Sequence, residues 1–217
     1  MKKLLFAAAA LMAASISSFA ANVSFTGSFG PTTTTFQTNT PLSKFDPALG
    51  TLTSIMFSIT GTSNGSVAVT NTSGFDDFYN VNIATTLRLR TPANVILTQV
   101  VPTFNDPSFF VANNTTGTDS GFSPPLTNSS TITSGFAAYI GPSGAPGTVN
   151  FNVFGTGAST ASGATPNSVS STTSAFGTDS ITYNYTAPTG TPEPATMGLL
   201  GSALLGLGFL KFRTKKI

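Results

Sequence analysis

Six aspartates, Asp46, Asp76, Asp77, Asp106, Asp119 and Asp179, are the only carboxylates between Ala21 and Thr191, and the whole chain contains no His or Cys. Imidazole acid–base chemistry and thiolate nucleophiles are therefore excluded, which leaves aspartates and hydroxyls as the reactive groups on offer. Asp76 and Asp77 are adjacent, but neighbours on a strand point to opposite faces, so they make a poor catalytic dyad. Asp46 precedes Pro47 and reads as a turn residue. Asp106, Asn113 and Asp119 carry oxygens suited to calcium, yet no loop of fixed ligand spacing is present, and solvated turn residues are the simpler reading. No catalytic residue, metal site or cofactor is expected, and the sequence reads as a non-enzyme.

The elements that would position these groups are strands. Tyr79, Val81, Ile83, Leu87 and Leu89 alternate with Asn80, Asn82, Thr86, Arg88 and Arg90, a strict period of two that no helix stripe gives. Ile55, Phe57 and Ile59 form a second run and Val67 and Val69 a third. Between those two, Ser63-Asn64-Gly65 predicts a hairpin, and a three-residue loop would set Ile59 opposite Val69 and keep one face apolar. Val23 to Phe29, Val95 to Val101 (ended by Pro102), Phe136 to Ile140, Val149 to Phe154 and Ile181 to Tyr185 repeat the pattern. The total of roughly eight or nine strands fits a sandwich. Asn105 to Asn128 reads as a long loop packed by Phe109, Phe110 and Phe122. Gly155 to Thr173 is nearly all small polar residues and reads as a second connection, or as a strand whose small side chains face water.

Both ends of the chain have a different composition. Met1 to Ala20 carries Lys2 and Lys3, an apolar run from Leu4 to Ile16 and Ser18-Phe19-Ala20, the layout of a secretory signal peptide cut after Ala20. Ala195 to Leu210 is uncharged, and as a helix it would cover about 24 Å. A hydrocarbon core of about 30 Å is slightly longer, a gap that Lys211 can close by snorkelling so that Phe212 joins the span. Lys211, Arg213, Lys215 and Lys216 then act as a membrane stop and place the C-terminus on the cytoplasmic side. A buried core helix is the competing reading, disfavoured by the uncharged length and the basic stop.

With the ends set aside, the body holds Lys44, Arg88 and Arg90 against six aspartates, a balance of −3, although the whole chain is +2. Such a body offers no clustered basic face, so nucleic acid is not an expected partner. Without cysteine it has no disulfides, and its apolar core and strand ladders must hold it together. Asn-X-Ser/Thr triplets such as Asn64-Gly65-Ser66, Asn71-Thr72-Ser73 and Asn128-Ser129-Ser130 arise by chance in so hydroxyl-rich a chain. O-linked sugar on exposed hydroxyls is worth testing.

Ahead of the apolar segment stands Thr191-Pro192-Glu193-Pro194, held extended by its prolines and shaped for a protease groove. A Pro-Glu-Pro triplet, one glycine-rich apolar helix and a basic terminus together resemble the PEP-CTERM protein-sorting signal. Thr191 stands where valine is frequent, and Phe212 and Thr214 interrupt the basic run. The resemblance implies recognition by exosortase, a membrane protease that cuts near the triplet. Pro192, Glu193 and Pro194 would be the recognition element, and a membrane-anchored intermediate would precede release to the surface or extracellular matrix of a Gram-negative-type bacterium, with exopolysaccharide as a further partner. Phe45-Asp46-Pro47, Leu49-Gly50-Thr51-Leu52, the strand through Ile59, and Ile181-Thr182-Tyr183-Asn184-Tyr185-Thr186 are similar to the exported domain called choice-of-anchor E.

The expected organisation is a signal peptide (1–20), an all-β antiparallel sandwich, Ig-like or jelly-roll-like (21–190), and a sorting signal with one transmembrane helix (191–217). The expected role is a structural or adhesive surface component. A carbohydrate-binding module is the rival, and it would need two or three coplanar exposed rings. Tyr79, Tyr183 and Tyr185 fall in phase with core faces and do not supply them.

Overall fold

Ile55, Phe57, Ile59, Val67 and Val69 occupy odd-numbered positions, and so do Gly61, Ser63 and Gly65 between them. One inward face therefore runs unbroken through the stretch expected to turn. The structure, a computed structural model, describes residues 20–163 and 166–188. In it Thr51–Asn71 is a single strand of 21 residues.

Eleven strands form among the described residues: β1 (Ala20–Thr33), β2 (Phe36–Ser43), β3 (Thr51–Asn71), β4 (Asp77–Arg90), β5 (Ile96–Val100), β6 (Thr103–Val111), β7 (Thr115–Phe122), β8 (Leu126–Ile132), β9 (Thr148–Gly157), β10 (Thr160–Ser162) and β11 (Pro166–Thr186). They make two antiparallel sheets. One has the order β1-β11-β3-β7, with β8 also on β3; the other has the order β10-β4-β9-β2, with β5 and β6 also on β4. Residues Ala21–Tyr185 form one compact unit. Among the described residues no helix is long and apolar enough to cross a membrane. The expected signal helix and the expected membrane helix at 195–210 lie outside the described residues.

The hairpin expected at Ser63–Gly65 is not formed. Ile59 pairs with Asn128 and Val69 with Gly117, so β3 changes partner from β8 to β7 at this point. Ser63 splices the two partners: its N–H donates to Ser123 Oγ, its carbonyl accepts from Ser123 N–H, and its hydroxyl lies 2.8 Å from that of Thr85. The N–H, carbonyl and hydroxyl of Ser63 are thus all bonded in place, which is what an interior position requires.

Two further expectations are corrected. Residues 105–128 are not a long loop but most of β6, all of β7 and the start of β8; Phe109 is half-buried, while Phe110 and Phe122 are exposed. Glycines make this possible. A Cβ on Gly117 would meet the Phe109 ring at 2.8 Å and one on Gly121 the Phe104 ring at 2.6 Å, so β7 presents bare backbone where β6 presents rings. Phe136–Tyr139 is a one-turn 3-10 segment rather than a strand, entered through Gly135 at φ 75°. The small-residue stretch 155–173 holds the end of β9, β10 and the first part of β11.

Burial divides into two clusters. The larger gathers Phe45, Ile55, Phe57, Ile59, Leu87, Leu89, Phe151, Val153, Ile181 and Tyr183 with others, and the smaller gathers Val67, Val69, Tyr79, Val81, Ile83 and Val111. The buried Ser63–Thr85 hydroxyl pair sits on β3 and β4 between the two sets. As expected from their phase, Tyr79 and Tyr183 are fully buried and Tyr185 half-buried.

Candidate functional site

The body's carboxylates serve local structure. Asp46 caps the turn Pro47–Leu49 by accepting from Ala48 N–H at 2.9 Å, and it also accepts from Gly144 N–H. Asp76 accepts from Asn113 N–H and Asp77 from Phe78 N–H, so the adjacent pair braces two backbone sites and does not converge on a third point. Asp106 accepts from the backbone and hydroxyl of Ser108.

Of the calcium candidates the structure brings two together. Burial pushes the Asp119 carboxyl above its usual range, the Ser120 N–H works against that, and the charge of Asp106 adds to the rise. Asn113 instead lies in the turn after β6, tied to Asp76. Among the described residues no three His, Cys, Asp or Glu side chains gather to hold a metal.

Asp179 was visible in the sequence only as a charge. It is 1 % exposed, its Oδ2 accepts from Thr40 Oγ1 at 2.7 Å, and its Oδ1 has no partner. Desolvation raises its carboxyl above the ordinary range, opposed by the Thr40 hydroxyl. The signal was the same period of two, since 179 is in phase with Ile181 and Tyr183.

The two ends of the sandwich differ. Where β3 gives way to β4, the run Phe75-Asp76-Asp77-Phe78 lies at the tip. Phe75 is 79 % exposed, Phe78 60 % and Phe110 50 %. Phe78 and Phe110 are cross-strand partners with ring centroids 5.3 Å apart and planes at 58°, so they are not the coplanar platform a sugar-binding face would show. The loop carrying Phe75 is pinned. Asn71, fully buried, donates through Nδ2 to the carbonyls of Phe75 and Val111 and accepts from Ser73 N–H. That bonding also removes Asn71 as a sugar acceptor.

At the other end lies a cavity of about 440 Å³ whose lining includes Lys44, Pro92, Ala93, Ala138, Tyr139 and Val149. Arg90 precedes its Thr91–Ala93 wall and stacks its guanidinium over the Phe154 ring at 4.6 Å. A third feature is a trough of about 420 Å³ across β3, β7 and β11, lined by hydroxyls and amides such as Asn64, Ser66, Ser120 and Thr172.

The expected sorting residues Pro192, Glu193 and Pro194, and the basic stop Lys211, Arg213, Lys215 and Lys216, lie outside the described residues. Comparison with known proteins bears on them directly, because residues 191–215 match the PEP-CTERM protein-sorting motif. That motif implies export, a surface or extracellular location, and processing by exosortase, a membrane protein. No curated protein matches the chain. Among solved structures, the chain is similar to one described as the structure of infectious bursal disease virus Gt strain. The two are 13 % identical over 90 % of this chain and 50 % of the other, with a TM-score of 0.19. It is also similar to the infectious bursal disease virus VP2 subviral particle, at 12 % identity over 86 % and 48 %, TM-score 0.24. The chain thus spans about half the length of these structures.

Proposed function

We propose that this chain is a structural or adhesive component of the bacterial cell surface or extracellular matrix, delivered by exosortase acting at Pro192-Glu193-Pro194. The match of residues 191–215 to the sorting motif carries the reading. Its support from the body is chemical: carboxylates that brace backbone, a hydroxyl-covered surface and a core closed by strand ladders suit a stable building unit. In this reading Ala195 to Leu210 anchors the exported chain until cleavage, Lys211 to Lys216 stop its transfer, and the body belongs with the choice-of-anchor E domains it resembles.

Deleting residues 192–217 and locating the chain by surface labelling and fractionation tests the delivery step. Loss of surface label, with the body accumulating elsewhere, is expected; undiminished surface display would contradict it. A carbohydrate-binding module is the second reading, favoured by the hydroxyl-lined trough and by the exposed ring of Phe122, the cross-strand partner of Asn64 on its rim. Glycan-array binding by the full chain, lost on Phe122→Ser, would favour it over the first.

A further inference from the structure

Exposed apolar side chains are normally scattered singly, and a group of them held in place marks a surface built for contact. The tip has such a group. Phe75, Phe78 and Phe110 are all at least half exposed, and the Phe75 loop is fixed from below by the buried Asn71. The tip is also acidic: Asp76 and Asp77 separate the two phenylalanines, and Asp106 and Asp119 lie on the strands behind them.

The opposite end has the complementary properties. Lys44, Arg88 and Arg90, the only cations between Ala21 and Thr191, lie at or beyond the ends of β2 and β4 that point away from the tip. Two aspartates also lie in this half: Asp46, which accepts from Ala48 and Gly144 N–H, and Asp179, buried against Thr40, so three cations stand against one surface carboxylate. Beside Lys44, which lies on its lining, the cavity walled by Pro92, Ala93, Ala138, Tyr139 and Val149 has room for an aromatic side chain, and Arg90 immediately precedes its Thr91 wall.

We propose that copies of this chain join head to tail, the Phe75 tip of one seating in the Lys44 cavity of the next. Charge complementarity selects this pairing. Two tips brought face to face would oppose four aspartates, and two basic ends would oppose six cations, whereas tip to cavity sets Asp76 and Asp77 against Lys44 and Arg90. The contact uses a different patch on each partner, so it does not close on itself, and repetition gives a filament rather than a dimer. The ends cannot meet within one chain. Phe57, whose ring packs on Tyr139 beside the cavity, is 14 residues along β3 from Asn71, about 45 Å of strand. This inference rests on the matrix-component reading and gives that component a means of polymerising.

Because the chain has no cysteine, engineered ones report the contact cleanly. The cysteines replace Asn114, exposed in the turn between β6 and β7 that Asp76 braces, and Ala138, so that Phe75 itself is kept. The full chain carrying both Asn114→Cys and Ala138→Cys is produced in cells, exposed to a mild thiol oxidant and run without reductant. A ladder of dimers, trimers and higher species is expected from the double variant. Asn114→Cys and Ala138→Cys chains made together should stop at dimers, and Lys44→Glu in the double variant should cut trimers and above at least tenfold, with recovery when Asp76→Lys and Asp77→Lys are added. Monomers alone, or Asn114→Cys alone giving as much dimer as the mixture, would overturn the proposal. Surface labelling on the same cells separates the two readings: a ladder without surface label contradicts the delivery step only, and surface label without a ladder contradicts the polymer only.

Discussion

The half of the sandwich nearest Thr51 and Tyr185 buries seventeen side chains in one cluster, and the half nearest Asn71 buries six. The larger cluster is aromatic as well as aliphatic: Tyr139 stacks on Phe151, Phe45 packs between Tyr183 and Tyr185, and Tyr183 donates its hydroxyl to Ser43 O at 3.0 Å. The smaller is built of valine and isoleucine around Tyr79, with glycine backbone on β7 taking the Phe104 and Phe109 rings. One half is therefore a deep core that holds the sheets together. The other is a shallow extension of the same strands that carries the exposed tip. Strand continuity links them, since β3 and β4 run through both, while the Ser63–Thr85 pair interrupts the apolar contact.

Unequal burial should show as unequal cost. Phe57→Ala empties the larger cluster and is expected to cost about 3–5 kcal/mol in chemical denaturation, whereas Val69→Ala in the smaller should cost about 2 kcal/mol. Native-state hydrogen exchange then sharpens the contrast: amides of Val67 and Val81 should open at lower free energy than those of Phe57 and Val153. Equal costs and equal opening energies would mean that the hydroxyl pair divides nothing and the body melts as one core.

A smaller effect is expected at the glycine seats. Gly121→Ala drives a methyl against the Phe104 ring and should cost about 1–3 kcal/mol, felt first in exchange from β6 and β7. An unchanged stability would show that the strands can part without loss, and that the ring-on-backbone packing does not hold the smaller half.

Subtlest is the buried acid in the larger half. Asp179 has a folded-state pKa raised by desolvation, so its protonated form favours the fold. Its contribution is full below the unfolded carboxyl pKa of about 3.9 and is lost as pH rises from there toward the folded value. Asp119, raised for the same reason in the smaller half, adds in the same direction. Melting temperature should therefore fall as pH is raised from about 4 to neutrality. Asp179→Asn should melt higher than the parent at neutral pH and show a shallower fall; a variant whose profile overlays the parent's would place the acid in contact with water.

Alternation was a strong guide where one face is buried over a whole strand. It located β4 and its five inward residues, the end of β11 and most of β9 in advance. It misled at Ser63–Gly65, where turn-forming residue types outweighed a phase that never changed; Asn-Gly is a turn signal only if the chain can leave the sheet there, and Ser123 and Thr85 hold it in. Residues 105–128 resemble a loop because proline, glycine and asparagine are common in them. The glycines are small for the benefit of rings on the facing strand, a long-range cause that no local pattern carries. The Phe75 tip has no local signature for a related reason, since its exposure is set by where β3 and β4 end. The sorting signal was legible because its three parts are contiguous and owe nothing to the fold.

Delivery is tested most directly by changing the triplet alone. In a full chain with Pro192→Ala, Glu193→Ala and Pro194→Ala, the apolar segment and basic end are intact, so export and membrane retention should proceed while cleavage does not. Uncut chain in the membrane fraction, with surface label reduced at least tenfold, is the expected result. Cut chain at the surface in parental amounts would contradict it.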